Sequence, residues 1–244
     1  MKKKRSIHIG TSGWHYKHWR GPFYPPDMTA KDFLSHYLKF FHTVELNNSF
    51  YRLPEEKTLI NWSQAVPPGF IFAAKGSRFI THMKKLRDPE ESVKLFLQRI
   101  QNLGDKLGPI FFQLPPFLKW DLDRLSLFLE KLPGHLRFSF EFRDPSWFRD
   151  GTYRALAEKG AALCIYDFSG RQAPKTITAD FVYLRLHGPE GPYQGQYGSE
   201  ALSGWASDFS RWAGEGKDIY CYFDNDQAGF AVQDAMNLQK MVGV

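Results

Sequence analysis

Short runs rich in β-branched and aromatic residues recur along the chain, at 7–10, 43–46, 70–74, 110–113, 137–140, 162–166, 181–186 and 219–223. Their apolar residues are largely continuous rather than strictly alternating, the pattern of strands buried on both faces. Most of the intervals between them carry a helical pattern instead. Over 89–103, Val93, Phe96, Leu97, Ile100 and Leu103 keep a three-four spacing; 122–132 (Leu122, Leu125, Phe128, Leu129, Leu132) and 152–159 behave similarly. Strands alternating with helices predict parallel β-α units. Eight such units in 244 residues predict an α/β fold, a single (β/α)8 TIM barrel over 1–244, because such barrels typically take ~250 residues.

An open doubly wound sheet is the competing architecture, and it normally carries a Gly-rich fingerprint after its first strand. Gly10-Thr11-Ser12-Gly13 is too short a match. Between the sixth and seventh runs, 167–180 leaves no room for a full crossover helix, so that unit is expected to be reduced.

In a barrel of this kind the reactive groups gather at the carboxyl ends of the strands. Applied to the eight runs, that rule collects Thr11, Ser12 and Trp14 after the first, and Glu45, Asn47, Asn48 and Tyr51 after the second. Lys75 and His82 follow the third run, Gln113 the fourth, Glu141 and Arg143 the fifth, and Asp167 the sixth. Arg185 and His187 end the seventh, and Asp224, Asn225 and Asp226 the eighth. Ionisable groups on apolar strands are costly unless paired or hydrated, so this concentration predicts either a wet functional pocket or an ion-pair network.

Composition adds one feature. Phe, Tyr and Trp make up 16% of the chain, and many of these rings fall in Gly- and Pro-rich stretches where core packing explains them less well. Trp14, Trp19, Tyr24, Tyr51, Trp147, Tyr193 and Tyr197 are candidates to stack on a sugar or a base, or to pack as a lid. The segment 193–197, flanked by Gly191, reads as a mobile lid.

Charge and cysteine content narrow the partners. The formal net charge is +6, but Lys2, Lys3, Lys4 and Arg5 carry most of it, so the basic balance reads as a solvated arm. Nucleic acid is therefore an open but unfavoured partner. Cys164 and Cys221 have no partner at metal-ligand spacing, and no structural zinc is expected. A divalent ion held weakly by Glu45, Glu141, His187 and Asp226 stays open, and the cofactor is unknown. No run reaches the ~18 apolar residues of a membrane span, and 6–10 is too short for a signal peptide. The expectation is a cytoplasmic protein without a membrane partner.

Several motifs together resemble those of the YecE-like family, the domain of unknown function seventy-two. They are 10–14 (GTSGW), 44–48 (VELNN) with Phe50-Tyr51, 79–82 (FITH), 113–116 (QLPP), Glu141-Phe-Arg143 with Trp147, 183–188 (YLRLHG) and 223–226 (FDND). They span nearly the whole chain in order. The resemblance implies a TIM barrel, a loose relation to sugar isomerases, and pocket roles for Glu45, Lys75, His82, Gln113, Glu141, Arg143, Arg185, His187 and Asn225. Asp224 departs from the pattern, which favours Asn there.

The reading that follows is an enzyme, isomerase- or hydrolase-like, using acid/base chemistry on a small polyhydroxy or phosphorylated substrate. Glu45 or Glu141 would be the base, in a hydrated pocket, and His187 its acid partner. Lys75 and Arg185 would hold an anion, while Trp14, Asn47, Tyr51, His82, Gln113, Arg143, Tyr197 and Asn225 would line the site. The alternatives are a nucleic-acid-binding or -processing barrel and a ligand-binding protein without turnover.

Overall fold

All eight apolar runs form parallel strands, and they are joined mainly by helices on the faces that the sequence periodicity marks. The computed structural model describes residues 6–244; the basic arm 2–5 lies outside the described residues. In chain order the elements are β1 (Ile7–Thr11), α1 (Phe33–Tyr37), β2 (Thr43–Leu46), α2 (Asn48–Tyr51), α3 (Glu56–Ala65) and β3 (Ile71–Lys75). Next come α4 (Pro89–Ile100), β4 (Leu107–Gln113), α5 (Leu122–Glu130), β5 (Phe138–Glu141) and α6 (Asp150–Lys159). The chain then runs through β6 (Ala162–Phe168), β7 (Arg171–Gln172), β8 (Phe181–Leu186), α7 (Ser199–Gly214), β9 (Asp218–Phe223) and α8 (Phe230–Val242). Strand order is β1-β9-β8-β6-β5-β4-β3-β2, with a parallel bridge from Ser12 to Glu45 joining the ends of β1 and β2. This is the (β/α)8-barrel class. No described helix is long and apolar enough to cross a membrane.

The crossover between β6 and β8 is reduced, as its length predicts. It holds no helix; β7 folds back antiparallel on β6, pairing Asp167 with Gln172 and Phe168 with Arg171.

The chain packs as two compact units. One takes the chain up to Glu45, then Ile165–Ala173 and Asp180–Val244. Its helix α7 buries Leu202, Trp205, Phe209 and Trp212, a stripe recurring every three or four residues, and α8 buries Val232, Ala235 and Leu238. β1 approaches β2 closely because residue 10 is Gly: a Cβ there would lie 2.3 Å from the Thr43 carbonyl oxygen.

The other unit is Leu46–Cys164 with Pro174–Ala179. Its core sets α4 (Val93, Phe96, Leu97, Ile100) and α5 (Leu125, Phe128, Leu129) on strand residues Ile110, Phe112, Phe138 and Phe140. Phe112 stands edge-on to Phe128 with centroids 5.2 Å apart, a geometry that aligns ring edge with ring face. Helix α4 stops at Ile100, before the predicted end at 103. A 3-10 turn follows, and Gly104 there has φ 59° and ψ −132°, which no helix continues. Helix α5 starts on Asp121, whose side chain accepts the Arg124 amide at 3.0 Å.

Candidate active site

In the first unit, side chains two residues apart on a strand share a face. On β8 this puts Tyr183, Arg185 and, just past the strand, His187 in one column. On β9 it aligns Tyr222 with Asp224, and on β2 Thr43 with Glu45. Tyr222 hydrogen-bonds Thr43 Oγ1 at 2.8 Å, forming a floor. Above it Glu45 is fully buried and accepts from Tyr183 OH at 2.7 Å, Ser12 Oγ at 2.8 Å and Arg185 Nη2 at 2.8 Å. Arg185 Nε adds bonds to both carboxylate oxygens at 3.1 and 3.0 Å. The Tyr183 phenol is held well above its usual range, first by burial and then by Glu45, so it serves as a donor.

Arg185 carries the network outward. Its Nη2 also donates to Asp224 Oδ2 at 2.9 Å, and Nη1 faces His187 Nε2 at 3.2 Å. A guanidinium has only donors, so Nε2 accepts and the neutral ring carries its proton on Nδ1. That nitrogen lies 3.0 Å from Asp224 Oδ2. Two carboxylates, one guanidinium and one imidazole thus form a continuous chain in which only Asp224 reaches the surface, at 8% exposure.

The accessible edge is built from the loops after β1 and β9. Tyr16 OH donates to the Ser12 carbonyl at 2.6 Å, and its phenol is pushed up by burial, then by Asp224, Asp226 and Glu45. Asp226 is pushed up by burial and by Asp224, and it contacts His18 Nε2 at 3.6 Å. Phe168 and Tyr193 present their edges to the His187 ring at centroid distances of 5.3 and 5.7 Å.

The loop read as a lid is anchored at one end. Tyr197 is buried; its OH accepts the Gly188 amide at 3.1 Å and its own amide donates to Asp234 Oδ2 at 3.0 Å. Asn225 Nδ2 donates to the same Asp234 oxygen and to the Gly195 carbonyl, both at 2.8 Å. Tyr197 and Asn225 therefore act as struts. Trp14 is buried, and its carbonyl accepts from Tyr24 OH at 2.5 Å.

The second unit holds the remaining candidates, in two groups. Glu141, fully buried, pairs with Arg143 Nε and accepts from Cys164 Sγ at 3.8 Å, an environment of packed ion pair rather than the hydrated pocket expected from sequence. Gln113, half-buried, is the register partner of Glu141 across β4 and β5. Lys75 Nζ sits over the rings of Phe50 at 4.5 Å and Phe111 at 5.5 Å. The Phe50 ring also meets His82, 5.1 Å away. His82 is held below the usual imidazole range by burial, then by Lys75 and Arg78. Asn47 is half-buried and Tyr51 exposed. Trp147 is packed, stacked on Phe142 at 4.6 Å and donating to the Leu118 carbonyl at 2.7 Å.

Sequence reasoning missed two participants. Tyr183 carried a usable signal, since it precedes Arg185 by two on a strand. Tyr16 carried none beyond its place in an aromatic loop. Among the described residues no group of three or more His, Cys, Asp or Glu is placed to hold a metal ion.

Fold and site together define an α/β barrel protein with a buried, charge-linked centre at the carboxyl ends of β2, β8 and β9. The chain belongs to the family described as "Protein of unknown function DUF72", whose model matches residues 8–244. It is similar to the UPF0759 protein YecE of Escherichia coli (strain K12), 30% identical over 167 residues. That match covers 66% of this chain and 59% of YecE, less than two thirds of the relative's length. The UPF0759 protein YunF of Bacillus subtilis (strain 168) is 22% identical, with 98% of this chain and 95% of YunF covered. A crystal structure of a DUF72 family protein from Thermotoga maritima MSB8 superposes with a TM-score of 0.89 at 28% identity, covering 98% of this chain and all of that one (100%). One from Enterococcus faecalis V583, at 20% identity, shares the fold with a TM-score of 0.82, covering 98% of this chain and 96% of that one.

Proposed function

We propose that the centre in the first unit is a proton-transfer site for a small polyhydroxy substrate. The observation that carries this reading is the buried chain Glu45–Arg185–Asp224–His187. Buried ion pairs add little to stability compared with apolar packing, so a linked set of them at strand carboxyl ends favours a working centre. In this reading Glu45 positions Arg185 and does not meet the substrate, because its oxygens are already occupied by donors. Asp224 and His187 handle the proton. Asp226, whose carboxyl is pushed up by burial and then by Asp224, stands nearer solvent as a second group able to exchange a proton with substrate.

Arg185 is committed to Glu45 and Asp224, and the accessible edge carries carboxylates, a phenol and His18. This set matches hydroxyl groups better than phosphate, which favours the polyhydroxy branch over the phosphorylated one. The test is a thermal-shift screen of the full chain against sugars, polyols, sugar phosphates and nucleosides. Any hit is then followed by NMR for deuterium uptake from heavy water. Stabilisation by a neutral polyhydroxy compound, with deuterium uptake, both lost in Asp224→Asn, is the expected result. Stabilisation without exchange would leave a binding protein, and a response confined to phosphorylated compounds would overturn the assignment of the edge.

A further inference from the structure

We propose that the face formed in the second unit by the loops after β2, β3 and β4 binds single-stranded nucleic acid. Three sequence motifs converge there that the proposed proton-transfer site does not use: Phe50-Tyr51, 79–82 and the loop following 113–116. Four large apolar side chains stand in solvent on these loops: Tyr51 at 73% exposure, Met83 at 64%, Phe117 at 63% and Phe79 at 45%. Intervening residues link them. Phe50 lies 5.0 Å from Tyr51 and 5.1 Å from His82. His82 shares a single π-helical turn, Phe79–Met83, with Phe79 and Met83. Lys84 Nζ sits 5.8 Å from the Phe79 ring centre, and Lys85 Nζ sits 5.2 Å from that of Phe117.

The charge of the loop after β3 is one-sided. Arg78, Lys84, Lys85 and Arg87 stand on 76–88 against one acid, Asp88, and among the described residues no carboxylate pairs with any of the four. Beyond this loop Glu90 pairs with Lys131 and Asp121 with Arg124, while Glu91 and Asp123 line the far side of the cavity that Lys84 and Arg87 border. The platform is also held rigid. Ile80 and Leu86 are pinned in the core, and Lys85, Leu86 and Asp88 adopt left-handed backbone at φ 53°, 65° and 41°, conformations non-glycine residues keep only where packing fixes them.

Exposed rings beside cations that no carboxylate neutralises suit a strand whose bases are unstacked, the base lying on the ring and the phosphate on the ammonium. A duplex hides its base faces. A membrane surface takes up apolar side chains on one face of an element with cations segregated to the other, whereas here lysines stand over the rings of Phe79 and Phe117 themselves.

The experiment is fluorescence anisotropy of the full chain with labelled oligo-dT. The same oligonucleotide as a duplex with oligo-dA and phosphatidylserine–phosphatidylcholine vesicles serve as the other arms. Oligo-dT should bind more tightly than duplex or vesicles, with affinity falling linearly in log salt. Phe79→Ala or Phe117→Ala should weaken it about 5- to 150-fold, and Lys84→Ala with Lys85→Ala should flatten the salt slope. Asp224→Asn should leave it unchanged, separating this surface from the proton-transfer centre. Because these side chains are solvent-exposed, circular dichroism should be unaltered in each variant. Binding indifferent to Phe79 and Phe117, binding lost when 2–5 are trimmed, equal affinity for duplex, or preference for vesicles would each overturn the proposal.

Discussion

Glu45 and Arg185 meet with both side chains buried, the guanidinium presenting Nε and Nη2 to the carboxylate at 2.8–3.1 Å. Breaking one partner of such a pair leaves an uncompensated charge, which costs roughly 3–5 kcal/mol. Glu45→Gln and Arg185→Met should each lower the unfolding free energy by that order, read from the shift of the denaturant midpoint. A double-mutant cycle should show the losses to be strongly non-additive. Additive losses would mean that the two groups act independently.

Asp226 gives a pH signature. Its folded carboxyl is pushed above the usual range by burial and by Asp224, so the folded state holds that proton more tightly than the unfolded one. Stability contributed by the protonated form is therefore lost as pH rises from the ordinary carboxylate range through the raised value. Asp226→Asn should be more stable than the parent at neutral pH, with the difference vanishing below the ordinary range. Melting curves across acid to neutral pH check this; a difference that grows toward acid reverses the sign and rejects it.

Glu141 separates structure from chemistry in the second unit. With Arg143 and Cys164 as neighbours and no exposure, Glu141→Gln should destabilise by roughly 3–5 kcal/mol. Glu141→Gln with Arg143→Met should recover part of the loss. A melting temperature unchanged in Glu141→Gln would place this carboxylate in a hydrated pocket after all.

Gly188 is required by two constraints at once. Its φ is +108°, and a Cβ there would lie 2.1 Å from the Gln194 carbonyl oxygen. Gly188→Ala should destabilise by at least about 1–2 kcal/mol from backbone strain alone. It should also release the Tyr197 anchor, seen as faster amide exchange at 188–197. Unchanged exchange there would show the turn to be more compliant than its geometry implies.

The strands were legible because each is a nearly continuous apolar run, and the reduced crossover because 167–180 is short. The end of α4 was not, since Leu103 continues the apolar period although the backbone tightens into a 3-10 turn after Ile100, which Gly104 then breaks. Strand-end position identified Glu45, Arg185, His187 and Asp224 as candidates. It could not say which would pair: a Glu141–Arg185 partnership and the observed Glu45–Arg185 and Glu141–Arg143 ones are equal in sequence terms. The Glu45–Arg185 pairing depends on how β2 and β8 face one another inside the barrel, which strand-end position alone does not give.

The sharing of Arg185 between Glu45 and Asp224 has a consequence for how this centre can change over time. Each buried group compensates another, so almost any lone replacement strands a charge, and a chain with only about 5–15 kcal/mol of total stability tolerates few such steps. Replacements at 45, 185 and 224 are therefore expected to travel as sets, passing through intermediates rescued by stabilising changes elsewhere. Exposed positions that compensate no charge, such as Leu95 and Met241, can drift one at a time. The barrel's interior charge is in that sense inherited as a block, and its outer helix surface as separate letters.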